Sequence, residues 1–228
     1  MPRLTINLLG APTLAVVNAP GDLGNTKALA LLAYLAITGT RHTRSALSVL
    51  LWPDSPHART HLRVALHALR RAFGEDAGQW LDDAGDTIAL RGGDTCTVDV
   101  REFRRHIQQV SAHRHPDGAL CDTCRQAMAA MIAGDAGDLL EEFSPRTCPD
   151  FEIWLAGERE QLRREYGAAL AVLADDCATR HAWDDAIGYT QRWLGLDPLD
   201  EAAHRRLMLL YAQSDRRAHA LRQYEECA

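Results

Sequence analysis

Four side chains with metal-binding chemistry fall between residues 113 and 124: His113-x-His115, then Cys121-x-x-Cys124. Two thiolates at this spacing match the hairpin of a structural zinc site, and two imidazoles lie a few residues upstream. Cys148 offers a substitute thiolate. The same spacing also fits ordinary packing, because cysteines at i and i+3 of a helix share a face and can simply be buried. A single structural zinc is the only cofactor this pattern suggests. Catalytic chemistry has less to stand on. Gly21-Asp22-Leu23-Gly24 lacks a following Lys-Ser/Thr and does not join a strand to a helix as a phosphate-binding loop must. Glu141-Glu142 fits solvated charge, and Asp175-Asp176 and Asp184-Asp185 flank a helix turn, where acids are ordinary. No Ser/His/Asp set is suggested by local spacing, so the chain is not read as an enzyme.

A second chemistry is spread along Thr43 to Phe73. From Arg41 to Arg71 the chain holds six arginines and one acid, Asp54, although its formal net charge is −6. His57, His61 and His67 lie in the same stretch. A locally basic helix with hydrogen-bonding side chains outward, entered through a tight break, suits the major groove of DNA. The alternative is an Arg-rich solvated face. On the groove reading, His61, Val64, His67 and Arg71 face base edges. Arg41, Arg44, Arg59, Arg63 and Arg70 are better placed for phosphates, and Thr60 can serve either role. Arg159, Arg163 and Arg164 alternate with Glu158, Glu160 and Glu165, which predicts i, i+4 pairing instead of a nucleic-acid patch.

The elements that must hold these residues follow from periodicity. Thr43 is an N-cap for a helix with Ala46, Leu47, Leu50 and Leu51 at helical spacing, and Trp52-Pro53-Asp54-Ser55-Pro56 stops it. A second helix runs from about Ala58 to Phe73, with Leu62, Leu66, Leu69 and Phe73 on its buried face. Upstream, Leu4–Leu8 alternates like a strand, Thr13–Val17 forms another, Pro20–Gly24 is loop, and Lys27–Thr38 is apolar on nearly every side, hence a core helix ended by Gly39. Downstream, Trp80-Leu81, the Asp83–Asp86 turn and Thr87–Leu90 predict a hairpin, and Cys96–Val98 a further strand. Strands, three helices and a closing hairpin make a winged helix.

The 228 residues leave room for two domains, with no transmembrane run and no signal peptide. A cytoplasmic chain with reduced cysteines is expected, and no membrane partner. Residues 1–104 carry 11 basic and 10 acidic side chains, residues 105–228 carry 14 and 21, so an acidic second half is expected to meet protein or solvent.

LLAYLAITGTRHTR, LLWPDSPHARTHLRVALHALRRAFG and TVDVREF resemble the N-terminal domain of the SARP-type bacterial transcriptional activators. FEIWLAGEREQLRREYGAALAVLA and LDPLDEAAHRRLMLLYAQSDRRAHALRQYEEC resemble the family's bacterial transcriptional activator domain. The resemblance covers nearly the whole chain. It implies an α+β, mostly helical protein: an OmpR-type winged helix-turn-helix with small antiparallel sheets over 1–99, then an all-α tetratricopeptide-like bundle over 100–228. It implies a sequence-specific DNA-binding activator that recruits RNA polymerase at promoters. The polymerase would meet the loop Trp52, Pro53, Asp54, Ser55, Pro56 and His57, and the helical half would serve self-association or signal input. The competing reading is a protein-interaction scaffold working through that half.

The helical half has its own support. Ala169, Leu173, Ala186 and Ile187 recur 34 residues later as Ala203, Leu207, Ala220 and Leu221, the tetratricopeptide period, with a break at Asp197-Pro198. Ser111–Gly118 is expected to be loop. The chain departs from the family in three places. Its wing turn, Asp82–Asp86, is acidic where OmpR-type wings commonly carry a basic residue, with only Arg91 nearby. The short Gly-Asp-Phe-Leu segment is replaced by Gly134–Leu140, a longer and more flexible version. The sequence stops inside a helix at Glu226-Cys227-Ala228, one helix short of a sealed array, so the native protein is expected to continue.

Overall fold

The computed structural model describes residues 3–16, 23–115, 119–133 and 137–227. Val17, Pro20–Asp22, Pro116–Gly118, Gly134–Ala136 and Ala228, on which some of the expectations above fall, lie outside the described residues. The chain divides into two compact units, one of residues 1–104 and 136–159, the other of 105–135 and 160–228.

In chain order the first unit holds β1 (Leu4–Asn7), β2 (Thr13–Val16), α1 (Thr26–Thr38), β3 (His42–Thr43), α2 (Arg44–Leu51), α3 (Ala58–Phe73), the single turn α4 (Ala77–Trp80), β4 (Leu81–Asp82), β5 (Thr87–Leu90) and β6 (Cys96–Val98). Its centre is α1, as its all-round apolarity predicts: Ala28, Ala30 to Ala33 and Leu35 to Ile37 are buried. Asn25 caps α1 by accepting from the amides of Lys27 and Ala28, and Gly39 ends it in the left-handed conformation. The Arg101 guanidinium donates to the Leu35 carbonyl at 2.9 Å, placing a cation on the negative end of that helix.

The first sheet has the order β2-β1-β6. The β1–β2 pair is antiparallel, as the turn signals imply, but β6 joins β1 in parallel, Leu4 opposite Cys96 and Ile6 opposite Val98. This sheet is therefore mixed instead of antiparallel. A parallel partner from the far end of the unit has no connecting turn to announce it. The second sheet, β3-β5-β4, is antiparallel throughout. Trp80 ends α4 instead of opening the hairpin strand. Its ring is fully buried edge-on against Phe73, centroids 6.0 Å apart.

The Asp99 carboxylate fastens this unit by accepting from the amides of Leu8 (2.7 Å) and Leu9 (2.8 Å). Residues 138–140, the described end of the Gly134–Leu140 segment, and the adjoining Glu141 are hydrogen-bonded to the β1–β2 turn: Gly10 N–H to the Asp138 carbonyl, Leu140 N–H to Leu8 and Glu141 N–H to Gly10. Leu139 and Leu140 are buried there. Gly137 passes so close to Gly10 that a β-carbon would sit 2.9 Å from the Gly10 α-carbon.

The remaining helices are α5 (Asp99–Ala112), α6 (Asp122–Ile132), α7 (Pro149–Thr179), α8 (Trp183–Leu196), α9 (Glu201–Gln213) and α10 (Arg217–Cys227). Helix α5 reaches Ala112, so Ser111 and Ala112 are helical where loop was expected. In the second unit α8 packs on α9 and α9 on α10. The repeat positions Ala169, Leu173, Ala186, Ile187, Ala203 and Leu207 are buried, Ala220 is half-buried and Leu221 is 58% exposed. The Asp197-Pro198 break leads into an Asp200 N-cap that accepts from the amides of Ala202 and Ala203. No helix among the described residues is long and apolar enough to cross a membrane.

Candidate functional site

Helix α3 is the exposed basic element. Leu62, Ala65, Leu66, Leu69, Ala72 and Phe73 are buried on one side. Arg59, Thr60, His61, Arg63, Val64, His67, Arg70 and Arg71 are exposed on the other. Val64 is 53% exposed, an outward apolar side chain among the basic ones. Arg70 and Arg71 occupy the last turn, where cations offset the helix dipole. Thr43 caps the preceding α2 by accepting from the Ala46 amide, as its position predicts. In the loop between the helices Pro53, Asp54, Pro56 and His57 are exposed, while Trp52 and Ser55 are half-buried. The Trp52 indole stacks on the His61 ring, centroids 6.0 Å apart, and the Lys27 ammonium donates to the Leu51 carbonyl. His61 is therefore engaged by a neighbour as well as exposed.

The acidic hairpin turn changes the charge of this surface. Asp82 pairs with Arg41 at 2.5 Å and with Arg91 at 3.3 Å. Asp83 pairs with Arg70 and lies 3.7 Å from Arg44. Arg44 also donates to the carbonyls of Gly85 (2.9 Å) and Asp83 (2.8 Å). The Arg41 guanidinium holds the Asp82 carboxyl below the ordinary carboxylate range. Three of the five arginines assigned to phosphates are thus already partnered. Arg59, Arg63 and Arg71 form no ion pair among the described residues. Sequence spacing could not show this, because β3–β5 pairing brings Arg41 and Arg44 to acids some forty residues away.

The four candidate metal-ligating residues come together in the second unit. The ligand atoms of His113, His115, Cys121 and Cys124 all lie within 4.8 Å of one another. His113 Nδ1 is 3.1 Å from Cys124 Sγ and 3.4 Å from Cys121 Sγ. Cys121 occupies the N-cap of α6, and the Cys124 amide held on its sulfur lowers its thiol below the ordinary value. Burial raises that of Cys124. Both cysteines are free thiols and half-buried. A buried acid fixes the approach to this N-terminus: Asp176 of α7 accepts from the Leu120 amide (2.8 Å) and the Arg180 guanidinium (3.1 Å), and Arg180 donates back to the Leu120 carbonyl (2.6 Å). Cys148, the possible substitute ligand, is not part of the cluster; its buried thiol donates to the Pro145 carbonyl.

The mixed charges of α7 are only partly the i, i+4 pairs expected. Arg164 pairs with Glu160, but Glu158 pairs with Arg104 of α5, and Arg159 donates to the carbonyls of Leu139, Leu140 and Phe143.

With a basic helix on a small α+β unit, followed in the chain by helices with a tetratricopeptide-like repeat, the chain is similar to bacterial regulators of transcription. The family model of the bacterial transcriptional activator domain matches residues 98–228, more than half of the chain, and the chain belongs to that family, the SARP-type regulators. Among solved structures, that of Mycobacterium tuberculosis EmbR in complex with a low affinity phosphopeptide is similar in fold, with a TM-score of 0.75 and 22% identity, covering 100% of this chain. The chain spans 59% of the length of that EmbR chain. No protein of curated function matches the sequence.

Proposed function

We propose that the first unit is a winged helix that binds duplex DNA sequence-specifically, with α3 in the major groove, and that the chain activates transcription by recruiting RNA polymerase. The observation that carries this is the outer face of α3, where Arg59, Thr60, Arg63, Val64, His67 and Arg71 are exposed side by side, with the three arginines free of ion pairs among the described residues. His67, Arg71, Val64 and His61 are assigned to base edges, Arg59 and Arg63 to phosphates, and Thr60 to either. Arg41, Arg44 and Arg70 are assigned first to shaping the hairpin, and reach phosphate only by leaving Asp82 and Asp83. The exposed loop Pro53 to His57 is the surface offered to polymerase, and the protein works in the cytoplasm without catalysis.

The helical half supplies self-association or signal input. A scaffold reading has one observation in its favour: Leu199, Leu209, Leu221 and Tyr224 are exposed large apolar side chains in the second unit. A gel shift against DNA upstream of the neighbouring genes separates the two. Retention of a specific duplex in the presence of excess scrambled competitor supports the activator, and equal loss of both supports the scaffold.

A further inference from the structure

We propose that His113, His115, Cys121 and Cys124 bind one structural zinc ion that fastens the end of α5 to the start of α6. This inference does not depend on the DNA-binding reading, since all four residues belong to the second unit.

Three observations converge on the site. First, the donor set is closed: two thiolates and two imidazoles are four protein ligands of the kind that structural zinc takes, with no position left for water or substrate. Second, the distances fit. Zinc–sulfur bonds of about 2.3 Å and zinc–nitrogen bonds of about 2.0–2.1 Å in a tetrahedron put neighbouring donors about 3.3–3.8 Å apart. The His113–cysteine separations of 3.1 and 3.4 Å, and the 4.8 Å bound over the whole group, need only small side-chain shifts to reach it. Third, the hydrogen bonding is incomplete without a cation. His113 Nδ1 lies within reach of both sulfurs, and His115 Nε2, close to the same three residues, is buried with no hydrogen-bond partner among the described residues. A metal ion among the four donors satisfies all of them at once.

The surrounding structure holds the ligands in place. The Asp176–Leu120–Arg180 network fixes the main chain one residue before Cys121. The first turn of α6 then sets Cys124 relative to Cys121, with the Arg125 amide bonded to the Cys121 carbonyl. His113 is held at the α5 terminus by its amide, which donates to the carbonyls of Gln109 and Val110. The ligands therefore come from two helix ends, a convergence that buried i, i+3 cysteines alone do not require. Two thiolates neutralise the ion, so the site adds no net charge.

The test uses the whole chain, untagged, purified under reducing conditions without chelator. Elemental analysis should find about one equivalent of zinc per chain. Exchange for cobalt should give the ligand-field bands of a tetrahedral ion together with thiolate-to-cobalt charge transfer. Cys124→Ser should lose the metal and the charge-transfer band, whereas Cys227→Ser, at an exposed cysteine outside the cluster, should keep both. Should Cys124→Ser fail to fold, wild-type protein still decides the matter, because chelation should lower its melting temperature and zinc should restore it. The proposal is overturned if wild-type protein carries no zinc, takes up neither zinc nor cobalt, and melts identically after chelation. Recovery of a Cys121–Cys124 disulfide from reduced, metal-supplemented preparations would overturn it too.

Discussion

Individual residues separate reading from holding. Arg71 is exposed, unpaired among the described residues and opposite the buried Leu62 face, so Arg71→Ala should leave the melting temperature unchanged. If it meets guanine, its loss should cost about 1–3 kcal/mol on the cognate duplex and relax preference at one base pair, which competition binding on single-base variants measures. Arg70, its neighbour, is tied to Asp83, and Arg70→Ala should act on cognate and scrambled duplexes alike. Identical behaviour of the two variants on both duplexes would remove the case for α3 as the reading element. The same contrast explains what the sequence could and could not disclose. The outward direction of Arg71 follows from helical periodicity alone, because Leu62, Leu66 and Leu69 dictate which side is buried. The engagement of Arg70 depends on a hairpin acid thirteen residues on, brought back by tertiary structure. Asp176 was legible only as one of two adjacent acids; its burial and its grip on Leu120 are tertiary facts. Asp176→Ala should strand the Leu120 amide and cost about 1–3 kcal/mol in urea unfolding. It should also weaken retention of zinc.

Among the elements, the β4–β5 hairpin and α3 are coupled. Replacing both Asp82 and Asp83 by asparagine should release Arg41, Arg70 and Arg91 from their ion pairs without altering the strand pairing, while Arg44 keeps its bonds to the Gly85 and Asp83 carbonyls. The double variant should bind DNA more tightly at low salt, with log K against log[salt] steeper by about 0.9 for each arginine that then finds a phosphate. An unchanged slope would show that those arginines point away from the duplex. The sign of the pH effect is set by the Arg41 contact. A carboxyl held low keeps its ion pair from the ordinary carboxylate range upward and loses it only as pH falls through the lowered value. Neutral-range pH changes therefore leave Asp82 paired. On the other side of α3, Leu66→Ala opens a cavity in the core and should cost about 2–5 kcal/mol before any DNA is added. The bounds of α3 were readable because proline and glycine punctuate it and four apolar residues keep its period. Strand β3, two residues long, and the parallel β6 partner of β1 carry no such local signal.

At the level of the whole molecule, the proposed DNA contact should have a modest electrostatic component. Counting Arg59, Arg63 and Arg71 as the arginines ready to meet phosphate or base, the salt slope should be no steeper than about −3. Six engaged arginines would instead give about −5, and titration over a range of salt concentrations distinguishes the two. Family membership and the class of fold were both accessible from the sequence, because the helix-pair motif and the repeat period are local patterns that survive without tertiary knowledge. What the sequence overstated was the positive charge available on the first unit. Its composition counts every arginine equally, whereas the folded chain spends several of them on its own hairpin.

On the proposed DNA-binding reading, that hairpin has a consequence for how the protein would find its site. Asp82 and Asp83 occupy, inside the molecule, the place that phosphates would otherwise take, so a chance encounter with any stretch of duplex gains little from Arg41, Arg44 or Arg70. On the proposed reading, a duplex is held by Arg59, Arg63 and Arg71 and by base edges that fit α3, while the hairpin arginines stay on their own acids. Competition from the bulk of the genome is then weakened more than binding at the right site, and the margin between the two widens even as the absolute affinity falls.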